Sequence, residues 1–323
     1  MTRLIISLMV VLCTFQVSSE NSVLAAKAKK STLLDIVQLS PDKLVAVGER
    51  GHVLLSEDKG QKWRQVTTPT QAMLTAVTFV DQNTGYAVGH NQVIIKTTDG
   101  GDTWQLMYER PADIDYPAFM DVWFRNAEWG LAVGAYGLMV ETRNGGQDWA
   151  EVDNSNLENL EIGGFPHFYS ISFDKKSERL YMAGELGSVS VSEDYGDNWE
   201  KINSPYTGSF FNIGVSASGS IHAMGLRGHL FRSTDQGVTW QEIETNTTAS
   251  INNMVEVEGS QIMYLAVDGV MLFSKDDGQT VSIIQDNDRA GLMAGALVDL
   301  NRLVVVGDKG VKQIDLDGHN LTN

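Results

Sequence analysis

Cysteine is almost missing from this 323-residue chain: the only one, Cys13, lies inside an early apolar run. Leu12 stands where a lipid-modified cysteine needs a small residue, so Cys13 reads as one apolar position among several. Disulfides and thiolate chemistry are thereby excluded from the rest of the chain. Basic charge is scarce too, with 24 Lys and Arg against 41 Asp and Glu, a net charge of −17. A chain of this sign repels phosphate backbones and anionic lipid surfaces, which argues against nucleic acid as a partner. Long apolar runs are limited to "MTRLIISLMVVLCTFQ", preceded closely by Arg3 and followed by polar "SSENS". That run is short for a bilayer span and has the layout of an export signal. The sequence therefore predicts a signal peptide over 1–25, ending at Val23-Leu24-Ala25, with Ser19 as the second choice of cleavage point. It predicts a periplasmic or otherwise exported protein with no membrane span after cleavage, acting as a monomer. Metal-binding spacings (HxH, HExxH), a Gly-Lys-Ser/Thr loop and a Ser-His-Asp pattern are also missing, so no metal and no cofactor are expected.

What the chain has is a repeat. "SEDKGQKW" (56–63), "TTDGGDTW" (97–104), "TRNGGQDW" (142–149), "SEDYGDNW" (192–199) and "STDQGVTW" (233–240) share one grammar, and "SKDDGQTV" (274–281) keeps all but the tryptophan. Their shared glycines, Gly60, Gly101, Gly146, Gly196, Gly237 and Gly278, are 41, 45, 50, 41 and 41 residues apart. A period near this value, made of short apolar runs, is that of a four-stranded propeller blade. Within a unit, an inner strand a such as "LTAVTFV" precedes strand b ("GYAVG"), a tight hairpin, strand c ("VIIKTT"), the octet and outer strand d ("WQLM"). The b–c grammar recurs seven times, the last being "LVVVGDKGVKQID" (303–315). The fold class is thus all-β: one seven-bladed β-propeller over 26–323. Its blades fall near 33–66, 73–107, 119–152, 168–202, 210–243, 250–284 and 291–317. The seventh lacks an obvious fourth strand; 26–32 could supply it, or the blade has three.

Antiparallel alternation puts the b–c hairpins and the d-to-a links on one face and the octets on the other. In the octet, Asp58, Asp99, Asn144, Asp194, Asp235 and Asp276 are expected to bond backbone N–H groups two residues on, with glycine supplying positive φ. Trp63, Trp104, Trp149, Trp199 and Trp240 open strand d as wedges. Burying ~150–250 Å² at roughly 25 cal/mol per Å² gives about 4–6 kcal/mol gross for each. Five like-spaced acids and one amide dispersed around a ring cannot converge on one catalytic site, so the octet is structural and no catalytic residue is expected.

The octet is the Asp-box, or BNR, repeat, which resembles that of sialidases, other glycosidases, sortilin-like receptors and photosystem II assembly factors. The longer pattern in "VGERGHVLLSEDKGQKW" (47–63), "VGHNQVIIKTTDGGDTWQ" (88–105) and "MGLRGHLFRSTDQGVTWQ" (224–241) is most similar to the last of these. That resemblance implies an exported seven-bladed propeller that binds membrane-protein assembly intermediates and catalyses nothing. Where that family carries an arginine-rich patch, this chain offers Arg50 and Arg227 in matching hairpins, with Lys309 in blade 7. A photosynthetic role does not follow from these residues. The sialidase alternative lacks its Arg-Ile-Pro signature, while a glycan-binding or other glycosidase function, needing only two carboxylates at suitable separation, stays open.

Function should lie where the repeat is broken. Two d-to-a links are long, 106–119 and 151–168, and they flank blade 3 on the hairpin face. The expected docking patch for a membrane protein or membrane-associated complex is Tyr108, Arg110, Asp115, Tyr116, Tyr136 and His167, with Arg50 and Arg227 near the channel.

Overall fold

Each unit of the sequence grammar folds into one antiparallel sheet. The computed structural model describes residues 20–110, 117–160 and 163–321. Blade 1 consists of strands Leu33–Gln38, Leu44–Gly48, Val53–Ser56 and Arg64–Val66, in the order a-b-c-d. Blades 2 to 6 repeat this order; blade 7 has only Leu292–Asp299, Arg302–Gly307 and Gly310–Ile314. Seven sheets thus form the all-β propeller that the repeat predicts.

Strand b is buried along its whole length in blade after blade, because both of its faces meet neighbouring sheets. Near-continuous apolar runs such as "LVAVG" satisfy that demand, whereas alternation would leave one face polar. The core is accordingly divided into seams between consecutive blades. One seam joins Val45 and Leu55 of blade 1 to Leu74 and Ala87 of blade 2. The ring closes where Leu44 and Leu54 of blade 1 meet Val304 and Val306 of blade 7.

At that closing seam Ala28–Lys30 form a 3-10 turn, not a strand. Ala28 joins the seam core, and the Lys29 carbonyl approaches Gly310 so closely that a Cβ there would lie 2.0 Å from it. The outer edge of Gly310–Ile314 is met farther along by a returning segment, Leu321 N–H donating to the Gln313 carbonyl at 2.8 Å. Before the turn, residues 20–25 lie along blade 1. Ser22 is buried and exchanges two bonds with Thr68, N–H to carbonyl and N–H to Oγ, each 2.8 Å.

The octets close the c–d turns through a recurrent set of bonds. Ser56 Oγ donates to Asp58 Oδ1 at 2.9 Å and accepts the Gly60 N–H at 2.8 Å, while Asp58 Oδ1 accepts the Lys62 N–H at 2.8 Å. The same three bonds recur at Thr97-Asp99-Gly101, Ser192-Asp194-Gly196, Ser233-Asp235-Gly237 and Ser274-Asp276-Gly278. Asn144 accepts likewise from the Asp148 N–H at 3.0 Å. The carboxylate therefore reaches an N–H four residues on rather than two. The reason is local: two consecutive left-handed residues, such as Lys59 and Gly60 (φ 60° and 80°), widen the loop beyond a simple turn. Each tryptophan wedges into the seam with the preceding blade: Trp104 packs with Val45 and Leu55, and Trp199 with Leu131.

Candidate functional site

Every strand a begins with a register break. Leu33 pairs with Gly48 and Asp35 with Val47, and the same skip follows Leu74, Phe119, Phe168, Phe210, Ile251 and Leu292. Such a bulge re-aims one side chain. The extra residues, Leu34, Thr75, Met120, Tyr169, Phe211, Asn252 and Met293, all line the central channel, a cavity of about 630 Å³. The mouth they form opens on the face of the b–c hairpins. Hydrogen bonds tie those hairpins to the d-to-a links of the same blade: Thr68 Oγ1 donates to the Gly51 carbonyl at 2.7 Å, and Gly137 N–H to the Pro166 carbonyl at 3.0 Å.

At the hairpin apices of blades 1 to 6 stand left-handed residues: Arg50, Asn91, Tyr136, Leu186, Arg227 and Asp268 (φ 55–59°). This geometry holds the side chain out from the sheet. Tyr136 is 70% exposed, and Leu186 and the neighbouring Leu226 are 43% and 36% exposed. From Tyr136 a path of rings runs inward. Its ring centroid is 4.4 Å from that of His167, His167 is 6.0 Å from Tyr169, and Tyr169 is 5.5 Å from Phe211. All three contacts are edge-to-face, the arrangement that ring quadrupoles favour. The structure thus joins two of the expected residues, Tyr136 and His167, to two that sequence reasoning missed, Tyr169 and Phe211. His167 is fixed from its other side by Glu185, whose Oε2 accepts the His167 N–H at 3.3 Å and lies 3.9 Å from its Nε2.

The other expected residues divide. Arg50 and Arg227 occupy hairpin apices and are exposed. Tyr108 packs half-buried on Phe119, ring centroids 6.5 Å apart, so it pins the long link onto blade 2. Arg110 lies over Tyr108 and reaches Glu151 at 3.9 Å, tying one long link to the other. Asp115 and Tyr116 lie outside the described residues. Phe119 and Phe168 are fully buried strand starters, and Phe165 packs on Gly137 of the blade 3 hairpin.

Below the mouth, Asp35 and Asp121 act as clips between blades. Asp35 Oδ2 accepts the Val77 N–H at 2.8 Å, and Asp121 Oδ2 accepts the Ile171 N–H at 2.8 Å. Loss of bulk water deep in the ring pushes the Asp35 carboxyl up to about 7, against the amide bond that favours its charge and with repulsion from Asp121. The same loss of water pushes Asp121 up to about 6. Both carboxylates thus serve the seams that they bridge.

A second polar cluster lies in the seam between blades 5 and 6. His222, fully buried, bonds Tyr264 Oη through Nδ1 at 2.9 Å, and its Nε2 is 4.0 Å from Asp277 Oδ1. Asp277 Oδ2 accepts from Ser218 Oγ at 2.8 Å, Ser220 Oγ at 2.6 Å and Arg232 Nη2 at 2.5 Å. Burial drives the histidine down to about 4, so the ring is neutral at ordinary pH. Gly278 closes this cluster: a Cβ there would come 2.4 Å from Tyr264 Oη. With no room for a substrate, the cluster locks a seam.

Among the described residues, Asp315, Asp317 and His319 form the group whose ligand atoms could share an ion. His319 Nδ1 already bonds Asp315 Oδ2 at 2.9 Å, and the group is largely exposed. No helix of the described residues is long and apolar enough to cross a membrane.

These features define a repeat protein: a seven-bladed propeller with octet turns on one face and, on the other, an aromatic channel mouth and hairpin apices that include Arg50, Tyr136 and Arg227. The chain belongs to the photosynthesis system II assembly factor YCF48 family, whose model matches residues 61–317. It is 28% identical over 158 residues to the photosystem II assembly lipoprotein Ycf48 of Synechococcus sp. (strain CC9902), covering 49% of this chain and 45% of that protein. The chain thus spans less than half the length of that relative. Among solved structures it resembles a YCF48 bound to D1 peptide, with TM-score 0.69 and 18% identity over 90% of this chain and 94% of that one. It also resembles the GH74 xyloglucanase of Xanthomonas campestris, TM-score 0.71 and 14% identity over 91% of this chain and 54% of the enzyme. At such identities both likenesses show the fold alone. The relative named from sequence is an assembly factor, not an enzyme.

Proposed function

We propose that this protein is an exported, non-catalytic scaffold that holds part of a membrane-associated complex during its assembly. Docking takes place on the face of the b–c hairpins. The observation that carries this reading is the ring path Tyr136–His167–Tyr169–Phe211, which leads from an exposed hairpin apex into the channel mouth. Aromatic side chains offered in this way are the common anchors of protein interfaces. Family membership supports the assembly role, and two exposed arginines in place of a dense arginine patch favour a complex other than photosystem II.

Export follows from the apolar start, and cleavage after Ser19 suits the molecule better than cleavage after Ala25. The shorter leader spares Ser22 and its two bonds to Thr68.

Capture of a tagged protein from detergent-solubilised membranes tests the role. Wild type recovers a membrane protein, and a Tyr136→Asn, His167→Ala variant with an unchanged melting temperature recovers much less. Recovery of no membrane protein by the wild type would remove the scaffold reading.

A further inference from the structure

Residues 20–30 lie against the outer edge of blade 1 and expose two apolar side chains there, Val23 at 67% and Leu24 at 64%. This exposure is not fraying, because the backbone on both sides is tied down. Ser22 is bonded twice to Thr68. Gln65, on strand d, holds the chain beyond it: its Nε2 donates to the Val23 carbonyl at 3.0 Å, and its Oε1 accepts the Ala25 N–H at 2.7 Å. Ala28 is then buried in the closing seam. Val23 and Leu24 are thus held outward between fixed points.

Beside them the charge of the molecule is locally reversed. Residues 20–32 contain Lys27, Lys29 and Lys30 and a single acid, Glu20, which already accepts from Gln71 Nε2 at 3.1 Å. Lys62, from the first octet, joins the lysines: a cavity of about 300 Å³ is lined by Ala25, Ala26, Lys29, Lys62 and the half-buried Trp63. Elsewhere Lys43 has Asp102, Lys59 has Asp299 and Lys312 has Asp286 and Asp288, while Lys96, Lys201 and Lys309 bond carbonyls. Among the described residues, none of the four rim lysines has a carboxylate within ion-pair distance. Asp58, which Lys62 feels from farther off, is committed to its octet.

Exposed aliphatics beside unpaired ammonium groups match a bilayer surface: the lysines meet anionic headgroups, and the aliphatic pair enters the boundary of the acyl chains. The net charge of −17 opposes such a surface for the molecule as a whole. That charge is spread around the ring, however, and charges beyond about 8 Å are screened at physiological salt. Each lysine at an anionic surface strengthens attachment by about fivefold, so the local charge decides. We propose that the rim formed by Val23, Leu24, Lys27, Lys29, Lys30 and Lys62 rests reversibly on an anionic lipid surface. Strand d is the outermost strand of its blade, so this contact stands the propeller on edge and leaves the channel mouth free. The proposal goes beyond the docking of a partner; it rests on the mature start at Glu20, which retains residues 20–25.

The test is co-sedimentation of the chain 20–323 with vesicles of phosphatidylcholine alone or of an equal mixture with phosphatidylglycerol. Wild type is compared with a Lys27→Gln, Lys29→Gln, Lys30→Gln variant and a Val23→Ser, Leu24→Ser variant. Lys175→Gln, Lys176→Gln, on blade 4, is the control. All these side chains are exposed, so the melting temperature stays unchanged. Wild type binds the mixed vesicles and not phosphatidylcholine alone, and raised salt releases it. The glutamine variant binds about a hundredfold more weakly. The serine variant binds about tenfold more weakly, and the control binds as wild type does. No binding of wild type to the mixed vesicles, or undiminished binding by the glutamine variant, overturns the proposal. Undiminished binding by the serine variant overturns it too, and competition by a polyglutamate peptide would then mark the lysines as a seat for acidic polypeptide. The intact mass of the exported protein tests the start at Glu20 separately, so failure of one is told from failure of the other.

Discussion

Asp35 on blade 1 accepts the Val77 N–H of blade 2 at 2.8 Å, a clip across a seam between residues 42 apart in sequence. Because its folded carboxyl is pushed up to about 7, from an ordinary value of 3.8, the folded state holds a proton that the unfolded chain releases. Stability from this source is complete below pH about 4 and is lost as pH rises toward 7. Asp35→Asn removes the titration, so its denaturation free energy should fall less than that of wild type between pH 5 and 8. A wild-type profile no steeper than the variant's would contradict the assignment.

His222 works in the opposite direction over nearly the same range. Its folded value is depressed to about 4, so the unfolded chain binds the proton first. Stability from this source is complete above pH about 6.5 and is lost as pH falls to 4, at a cost of order 3 kcal/mol. His222→Met copies the apolar residue that blade 6 uses at Met263. This variant should resist acid better than wild type in a urea titration at pH 4.5, even if it is less stable at pH 7.5. Equal relative losses at the two pH values would show that the histidine does not govern the acid limb.

Trp199 is 3% exposed and wedges against Leu131 of the preceding blade. Trp199→Ala leaves a seam cavity and should cost about 3–5 kcal/mol. Asp194→Ala, at the heart of the same octet, removes an acceptor from the Asn198 N–H and should cost less, about 1–2 kcal/mol. Chemical denaturation measures both, and a larger loss for Asp194→Ala would mean that the turn outweighs the wedge.

Ser22 and Thr68 exchange two backbone-anchored bonds on blade 1. On the proposed export with cleavage after Ser19, the mature protein begins at Glu20, and its intact mass distinguishes that start from Ala26. A protein cut at residue 25 should melt lower, since it loses the bonds of the segment 20–25.

Much of this architecture is legible before folding. The octet period specifies six turns, the buried b strands read as apolar runs, and seven b–c grammars count the blades. The faces follow from alternation alone. The channel mouth is harder to read because it depends on a bulge: Tyr169 and Phe211 sit one residue past buried phenylalanines, where plain alternation would send them elsewhere. Leu186 is visible as an apolar letter at a hairpin apex that holds Arg, Asn or Asp in blades 1, 2, 5 and 6. His222 is visible as a histidine in an otherwise apolar strand, but its partners Tyr264 and Asp277 come from a b strand and an octet of the next blade. Tyr108 is harder to read, because a tyrosine at a strand end serves equally well as an anchor for its own link, the contact that Phe119 gives it here. Closure by 26–32 resembled a lysine-rich edge strand, and the short Ala-Lys-Lys segment instead turns to fill the seam with Ala28.

The central claim is that the hairpin face, not the octet face, holds a membrane-associated partner. A photo-crosslinking amino acid placed at Tyr136, at Leu186 and at Val238 in separate variants, irradiated in intact cells, tests it most directly. The account predicts a discrete adduct with one membrane protein from positions 136 and 186 and none from 238. Adducts from position 238 alone, or from none of the three, would contradict it.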